Sequence, residues 1–204
     1  MRVTAAVSAC LAVAILGGPA ASSHNQPLLR VESIESPAGP NSAEPNLSAS
    51  PDGVLMSWIE RDGARASLKF AERTHRTWTP VQTVASGTDW FVNWADVPSV
   101  IRLAGGTIAA HWLQKNGADA EAYDVRLSYS KDDGRTWASP FMPHHDGTKT
   151  EHGFVSMWPK PGGGLELVWL DGREMPVGHG AHGAMSLRAG AFDAGWKQTA
   201  ESSI

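Results

Sequence analysis

The chain has 204 residues, with 17 Lys plus Arg against 21 Asp plus Glu and a formal charge of -4. That balance, without any block of basic residues, argues against a nucleic acid partner. A single cysteine, Cys10, excludes an internal disulfide framework, so the fold must rest on its own hydrophobic core.

Residues 1–22 join a basic start at Arg2 to an apolar run and then to the small residues Pro19, Ala20, Ala21 and Ser22. This is the pattern of an export signal. The run is shorter than the ~20 apolar residues of a membrane span and no basic stop follows it, so no stable membrane insertion is expected after signal removal. A lipid-modified Cys10 fits poorly, because most of the apolar run follows it. The expected location is secreted or periplasmic. Residues 23–45 read as an N-terminal segment ahead of a repeated region, 46–204.

In that region Trp78, Trp137 and Trp196 are each 59 residues apart, and Trp58, Trp112 and Trp169 form a second series, 54 and 57 apart. The second series closes three similar phrases, PDGVLMSW, AGGTIAAHW and PGGGLELVW, and a third set, SLKFA, RLSYS and MSLRA, falls between the two. One supersecondary unit is therefore written three times. In the middle copy PSVIRL reads as a strand, AGG as a tight turn, TIAAHWL as a second strand and DVRLSYS as a third. A turn at 130–136 then leads to a fourth strand at Trp137. Period-two alternation bounded by Gly, Pro and Asp supports strands throughout. Four-stranded repeats of this length predict an all-β chain, a β-propeller of four-stranded antiparallel blades at about 46–96, 97–152 and 153–204.

The turn of the middle copy, Ser130-Lys131-Asp132-Asp133-Gly134-Arg135-Thr136-Trp137, matches the S-x-D-x-G-x-T-W "Asp box" at every defined position. AERTHRTW (71–78) keeps Thr77 and Trp78 of it, and AGAFDAGW (189–196) keeps a Gly and the Trp. With FVNWADVPSV, DGTKTEHGFVSMWP and WLDGR, this text resembles the exported bacterial sialidase-like, or neuraminidase, BNR-repeat proteins. The resemblance implies an exported glycoside hydrolase acting on terminal sialic acid or a related acidic glycoside. It also implies a ring of about six blades, so that three blades are an incomplete propeller. The box itself reads as structural: Asp132 accepts amides of its turn, Gly134 supplies a positive φ, and Trp137 packs between hairpins.

In an up-and-down blade the second-to-third connection and the link to the next blade lie at one end. That end collects segments 60–66, 86–98, 114–124, 142–153 and 171–183, and is the expected binding face. A sialidase needs an arginine cluster for the sugar carboxylate, a carboxylic acid for the leaving oxygen, and a tyrosine paired with a glutamate. The resemblance points to Arg173 as a clamp and Asp96 or Glu151 as proton donor, with Arg61, Asp171, Trp90 and Trp94 around the substrate. Each charge could equally be an ordinary loop ion pair, and the tryptophans could be inter-blade packing. Neither Tyr123 nor Tyr129 has the late chain position of the family's nucleophile. No cofactor is expected, and the expected partner is a carbohydrate or glycoconjugate. Two other readings are a non-catalytic propeller that binds a glycan or a protein, and a transition metal held by His144, His145 and His152 among the loop histidines that also include His179 and His182.

Overall fold

The structure, a computed structural model, describes residues 29, 31–175 and 183–204. Contacts divide the chain into a unit ending at Glu35 and a unit Ser36–Ile204, and every strand among the described residues lies in the second. The export segment, Cys10, His179 and His182 lie outside the described residues. No helix among those described is long and apolar enough to cross a membrane.

The fold is all-β, with three antiparallel sheets in chain order among the described residues. The first contains β1 (Ser42–Ser50), β2 (Gly53–Asp62), β3 (Arg65–Thr74), β4 (Thr77–Trp78) and β5 (Gln82–Gly87). β4 and β5 both pair with β3 and act as one fourth strand, interrupted where Pro80 has no N–H to give the ladder. The second sheet contains β6 (Ser99–Arg102), β7 (Ile108–Lys115) and β8 (Tyr123–Ser130); the third contains β9 (His152–Lys160), β10 (Gly164–Asp171), β11 (Ser186–Phe192) and β12 (Gln198–Ser203). The first strands pack in order, β1 on β6 and β6 on β9. The Ser48 hydroxyl ties the first pair by donating to the Val100 carbonyl at 2.9 Å.

The expected fourth strand of the middle sheet is not a full ladder. After Trp137 the chain contacts β8 through Ala138 N–H on the Tyr129 carbonyl and a single bridge between Leu127 and Phe141. Pro140 and Pro143 flank that bridge and remove donors that a continuous strand would need.

Two apolar layers separate the sheets, and the middle sheet belongs to both. Val100, Ile108, Ala110 and Trp112 face Leu55, Ile59, Leu68 and Phe70 of the first sheet. Residues one position out of phase, such as Ile101, Ala109, Leu113 and Val125, face Leu165, Leu167 and Trp169 of the third. Trp58, Trp112 and Trp169 are 1%, 2% and 0% exposed, so the second tryptophan series is a set of equivalent core positions. Burying one indole contributes roughly 4–6 kcal/mol as an upper figure, against about 1–3 kcal/mol for an unmade hydrogen bond. Burial wins at Trp112, whose Nε1 has no partner.

The Asp box is a closed hydrogen-bonded clasp. Asp132 Oδ1 accepts from Thr136 N at 2.9 Å and Asp132 Oδ2 accepts from the Thr136 hydroxyl at 2.7 Å. Ser130 Oγ accepts from Gly134 N at 2.8 Å, and Trp137 Nε1 donates to the Gly134 carbonyl at 3.1 Å. The hydrogen bonds from Thr136 and Ser130 hold the Asp132 carboxyl down at about 2. Trp137 then meets Phe70 of the preceding sheet edge-on at 6.0 Å. In the third copy Asp193 still clasps a shorter turn, with its Oδ1 accepting from Gly195 N and Lys197 N. That shortening hid Asp193 from the text match.

Gly134 has φ of 84°, and a Cβ there would lie 2.4 Å from Phe70 Cζ. Gly134→Ala therefore combines a left-handed strain with overpacking and is expected to cost about 2–4 kcal/mol in chemical unfolding. An unchanged unfolding midpoint would show that the clasp does not couple the sheets.

Candidate functional site

The long connections meet at one end of the sheets. Lys115 N donates to Asp89 O at 2.8 Å, Asn116 Nδ2 to Thr148 O at 3.3 Å, Gly172 N to Glu151 O at 2.8 Å, and Arg61 Nη2 to Val92 O at 3.4 Å. The link from the first to the second sheet reaches furthest. Within it Asn93 forms an Asx turn, accepting from Ala95 N and Asp96 N at 2.7 Å each and donating to Asp96 Oδ2 at 3.0 Å. Asp96 is 5% exposed, and its Oδ1 accepts from Phe154 N of β9 at 2.5 Å, so this link is pinned across to the third sheet. Gly153 makes the approach feasible, since a Cβ there would lie 2.6 Å from Asp96 Oδ1. The turn leaves Trp94 91% exposed.

Two irregularities shape this end. β1 bulges between Ala43 and Asn46, and β9 opposite Val168–Leu170. Each bulge carries a non-glycine residue at positive φ, Glu44 at 55° and Phe154 at 51°. Such strained positions cost on the order of 1–3 kcal/mol and persist where surrounding structure over-determines them. At Glu44 the result is a half-buried carboxyl whose Oε2 has no hydrogen-bond partner among the described residues. Burial pushes its pKa up to about 7; Arg61 opposes that rise and the Asp96 charge adds to it. Glu44 lies in the segment read as preceding the repeats, and the signal for it was Glu44-Pro45 interrupting an otherwise alternating strand.

Tyr123 opens β8, 1% exposed, with its hydroxyl donating to Glu151 Oε1 at 2.7 Å and its ring stacked on Phe91 at 3.9 Å. Burial first, then the bond to Glu151, drives the phenol far above its usual range. The chain thus contains a tyrosine–glutamate pair, although Tyr123 is early in the sequence. Their separation by 28 residues gives no textual hint of it.

Behind this pair lies a denser cluster. His144 and His152 are 2% and 0% exposed and stack in parallel at 4.0 Å. Around them are Asp124, Asp146, Asp171 and Arg173. Arg173 donates to both oxygens of Asp171 at 2.8 Å and to Glu201 Oε1 at 2.9 Å, and lies 3.3 Å from Asp146 Oδ2. Asp171 also accepts from Trp169 Nε1 at 2.7 Å. Burial alone would raise the Asp146 carboxyl, but Thr148 and the neighbouring His152 and Arg173 hold it below the usual range. Burial, then His152, lowers His144 to about 4.

The residues singled out from the sequence thus divide. Arg61, Asp96, Glu151 and Trp94 border the open end together with Glu44 and Tyr123. Arg173 and Asp171 sit in the buried cluster, where the guanidinium is already neutralised by chain carboxylates. Trp90 stacks on Trp112 at 5.4 Å, which uses one of its faces for packing. His145 is exposed and points into a separate cleft with Arg126, Phe141 and Trp196, away from His144 and His152. Asp124, Glu44 and Asn93 were not anticipated.

No family model matches the sequence, and no curated protein matches it. Among solved structures, the GH93 alpha-L-arabinofuranosidase of Fusarium graminearum with arabinobiose superposes with a TM-score of 0.56 at 13% identity, over 79% of this chain and 50% of that one. The alpha-L-arabinanase of Penicillium chrysogenum complexed with arabinobiose gives 0.48 at 15% identity, over 80% and 49%. A Hadza microbial sialidase gives 0.45 at 16% identity, over 73% and 35%. The three sheets are blades of a partial β-propeller. The chain spans half the length of the Fusarium structure, and at this identity the likeness is one of fold.

Two outcomes check the electrostatics. Because the folded Glu44 pKa lies above its ordinary 4.5, its contribution to stability is complete below about pH 4.5 and is lost as pH rises through about 7. Urea unfolding of wild type against Glu44→Gln should show that difference and no other between those limits. Arg173→Ala leaves Asp171, Asp146 and Glu201 facing one another and is expected to cost about 2–3 kcal/mol of stability. A stability equal to wild type would return Arg173 to the role of a free clamp.

Proposed function

We propose that the protein is an exported glycoside hydrolase of the sialidase-like type, removing a terminal acidic sugar at the open end of its blades. The observation that carries this reading is the pairing of two carboxyls in unlike surroundings, Glu44 and Asp96. Glu44, raised to about 7, retains a proton near neutrality and suits protonation of the leaving glycosidic oxygen. Asp96 accepts hydrogen bonds from Asn93 and Phe154, which hold its carboxyl group in place. It would stabilise the oxocarbenium-like centre or take the proton of the attacking water. Arg61, exposed and in no ion pair among the described residues as tight as that of Arg173, would receive the sugar's carboxylate. Trp94 would stack on the ring.

Tyr123 with Glu151 is the pair a covalent sialidase mechanism requires. Its use demands that Phe91 leave the tyrosine ring, since the two are stacked in the present arrangement. Hydrolysis of a fluorogenic sialic acid glycoside, with an arabinofuranoside in parallel, tests the substrate class. Glu44→Gln is expected to lower kcat by about 10²–10⁴-fold and to abolish the loss of activity above about pH 7. A folded protein that cleaves neither glycoside, or a Glu44→Gln variant with full kcat, would overturn the proposal.

A second reading rests on Trp94 alone. A ring 91% exposed on a pinned turn is suited to stacking on a glycan without turnover. Sugar binding that is lost in Trp94→Ala and accompanied by no hydrolysis would favour it.

A further inference from the structure

The buried histidine pair has a chemistry that the glycosidase reading does not use. His144 Nδ1 lies 3.2 Å from Asp146 Oδ2, and His152 Nδ1 lies 3.0 Å from the Thr150 carbonyl and 3.2 Å from the Tyr123 carbonyl. All of these neighbours are acceptors, so Nδ1 carries the proton in both rings. Each Nε2 is then the other nitrogen, and among the described residues neither has a hydrogen-bond partner although both are buried.

What these nitrogens face is negative. His144 Nε2 is 4.0 Å from Asp124 Oδ1, and His152 Nε2 is 3.3 Å from Asp146 Oδ2 and 3.7 Å from Asp171 Oδ1. A lone pair held against carboxylates in a low-dielectric interior is repulsive unless a cation intervenes. Arg173 meets that need beside Asp146 and Asp171. Among the described residues no guanidinium is in comparable contact beside Asp124 and His144, the Arg126 Nη2 being 3.9 Å from Asp124 Oδ2. A cavity of about 160 Å³ opens on this place, lined by Asn116, Asp124, His144 and Thr148 among others. Asn116 Oδ1 is a further buried oxygen with no hydrogen bond.

We propose that Asp124, His144 and His152 bind one divalent transition metal ion of the zinc class. Their ligand atoms lie within 4.8 Å of one another, and all three residues are buried. His144 supplies Nε2, Asp124 a carboxylate oxygen, and His152 the third donor, a borderline N,N,O set suited to such an ion. Asp146 and the Thr150 and Tyr123 carbonyls are the outer partners that fix ligating imidazoles through Nδ1. The ion would fasten the start of β8 to the start of β9, directly behind Tyr123 and Glu151. The proposal is independent of the glycosidase reading, because it concerns stability and metal content rather than turnover.

The experiment uses the full chain stripped with a chelator and titrated with Zn²⁺ and, separately, Co²⁺. Expected are one ion per chain, a rise of about 5–10 °C in the unfolding midpoint at a hundredfold excess over Kd, and ligand-field absorption with Co²⁺. His144→Gln and the near-isosteric Asp124→Asn should each weaken binding at least tenfold, with near-ultraviolet circular dichroism reporting that they fold. His145→Ala, outside the cluster, should bind as wild type does. No stoichiometric binding by the stripped protein, or equal affinity in a folded Asp124→Asn variant, would overturn the proposal.

Discussion

The constraint on which the rest depends is that the middle sheet is buried on both of its faces. β7, Ile108–Lys115, is buried at each of its first six positions, with alternate residues facing the first and third sheets. A sheet with only one apolar face could lie beside its neighbours in several ways. A sheet covered on both sides fixes the stacking order and, with it, the end at which each connection emerges. The bond from Phe154 to Asp96 joins segments 58 positions apart, and it forms only because that order is fixed.

The two ends of the blades are stabilised differently. At the Asp-box end, short side chains satisfy backbone donors within a few residues, as Asp132 does for Thr136 and Asp193 for Lys197. Such clasps are local and need little tertiary support. At the opposite end the connections are longer, and their charges find partners across sheets. There the backbone also departs from regular pleating, at Glu44 and Phe154. Strain, incomplete hydrogen bonding and a raised carboxyl coincide at Glu44.

Charge at this end falls into two populations. Arg173 is enclosed by carboxylates, and its loss would be felt as instability of the third sheet. Arg61 is exposed, and its Nη2 donates to the Val92 carbonyl. The histidines divide the same way, with His144 and His152 locked against acceptors and His145 facing solvent in another cleft. Residue type is the same in each pair, and what differs is which elements come within hydrogen-bond reach.

The sequence by itself determined the architecture. The threefold tryptophan text, the period-two alternation and the Gly, Pro and Asp turns set the strands, and the Asp box could be read as a clasp because all its bonds are local. It also determined which segments share an end, since that follows from connectivity. Only the tertiary structure decided which charges there are enclosed by partners and which are exposed. Glu44 lay in the N-terminal segment 23–45 read as preceding the repeats, Asp124 in an ordinary strand start, and Tyr123 too early to suggest a role. Their properties arise from desolvation and from partners 17 to 52 positions away, such as Arg61 and Asp96 for Glu44 and Glu151 for Tyr123. Such proximities are set by how whole sheets stack, and no local pattern in the sequence encodes them.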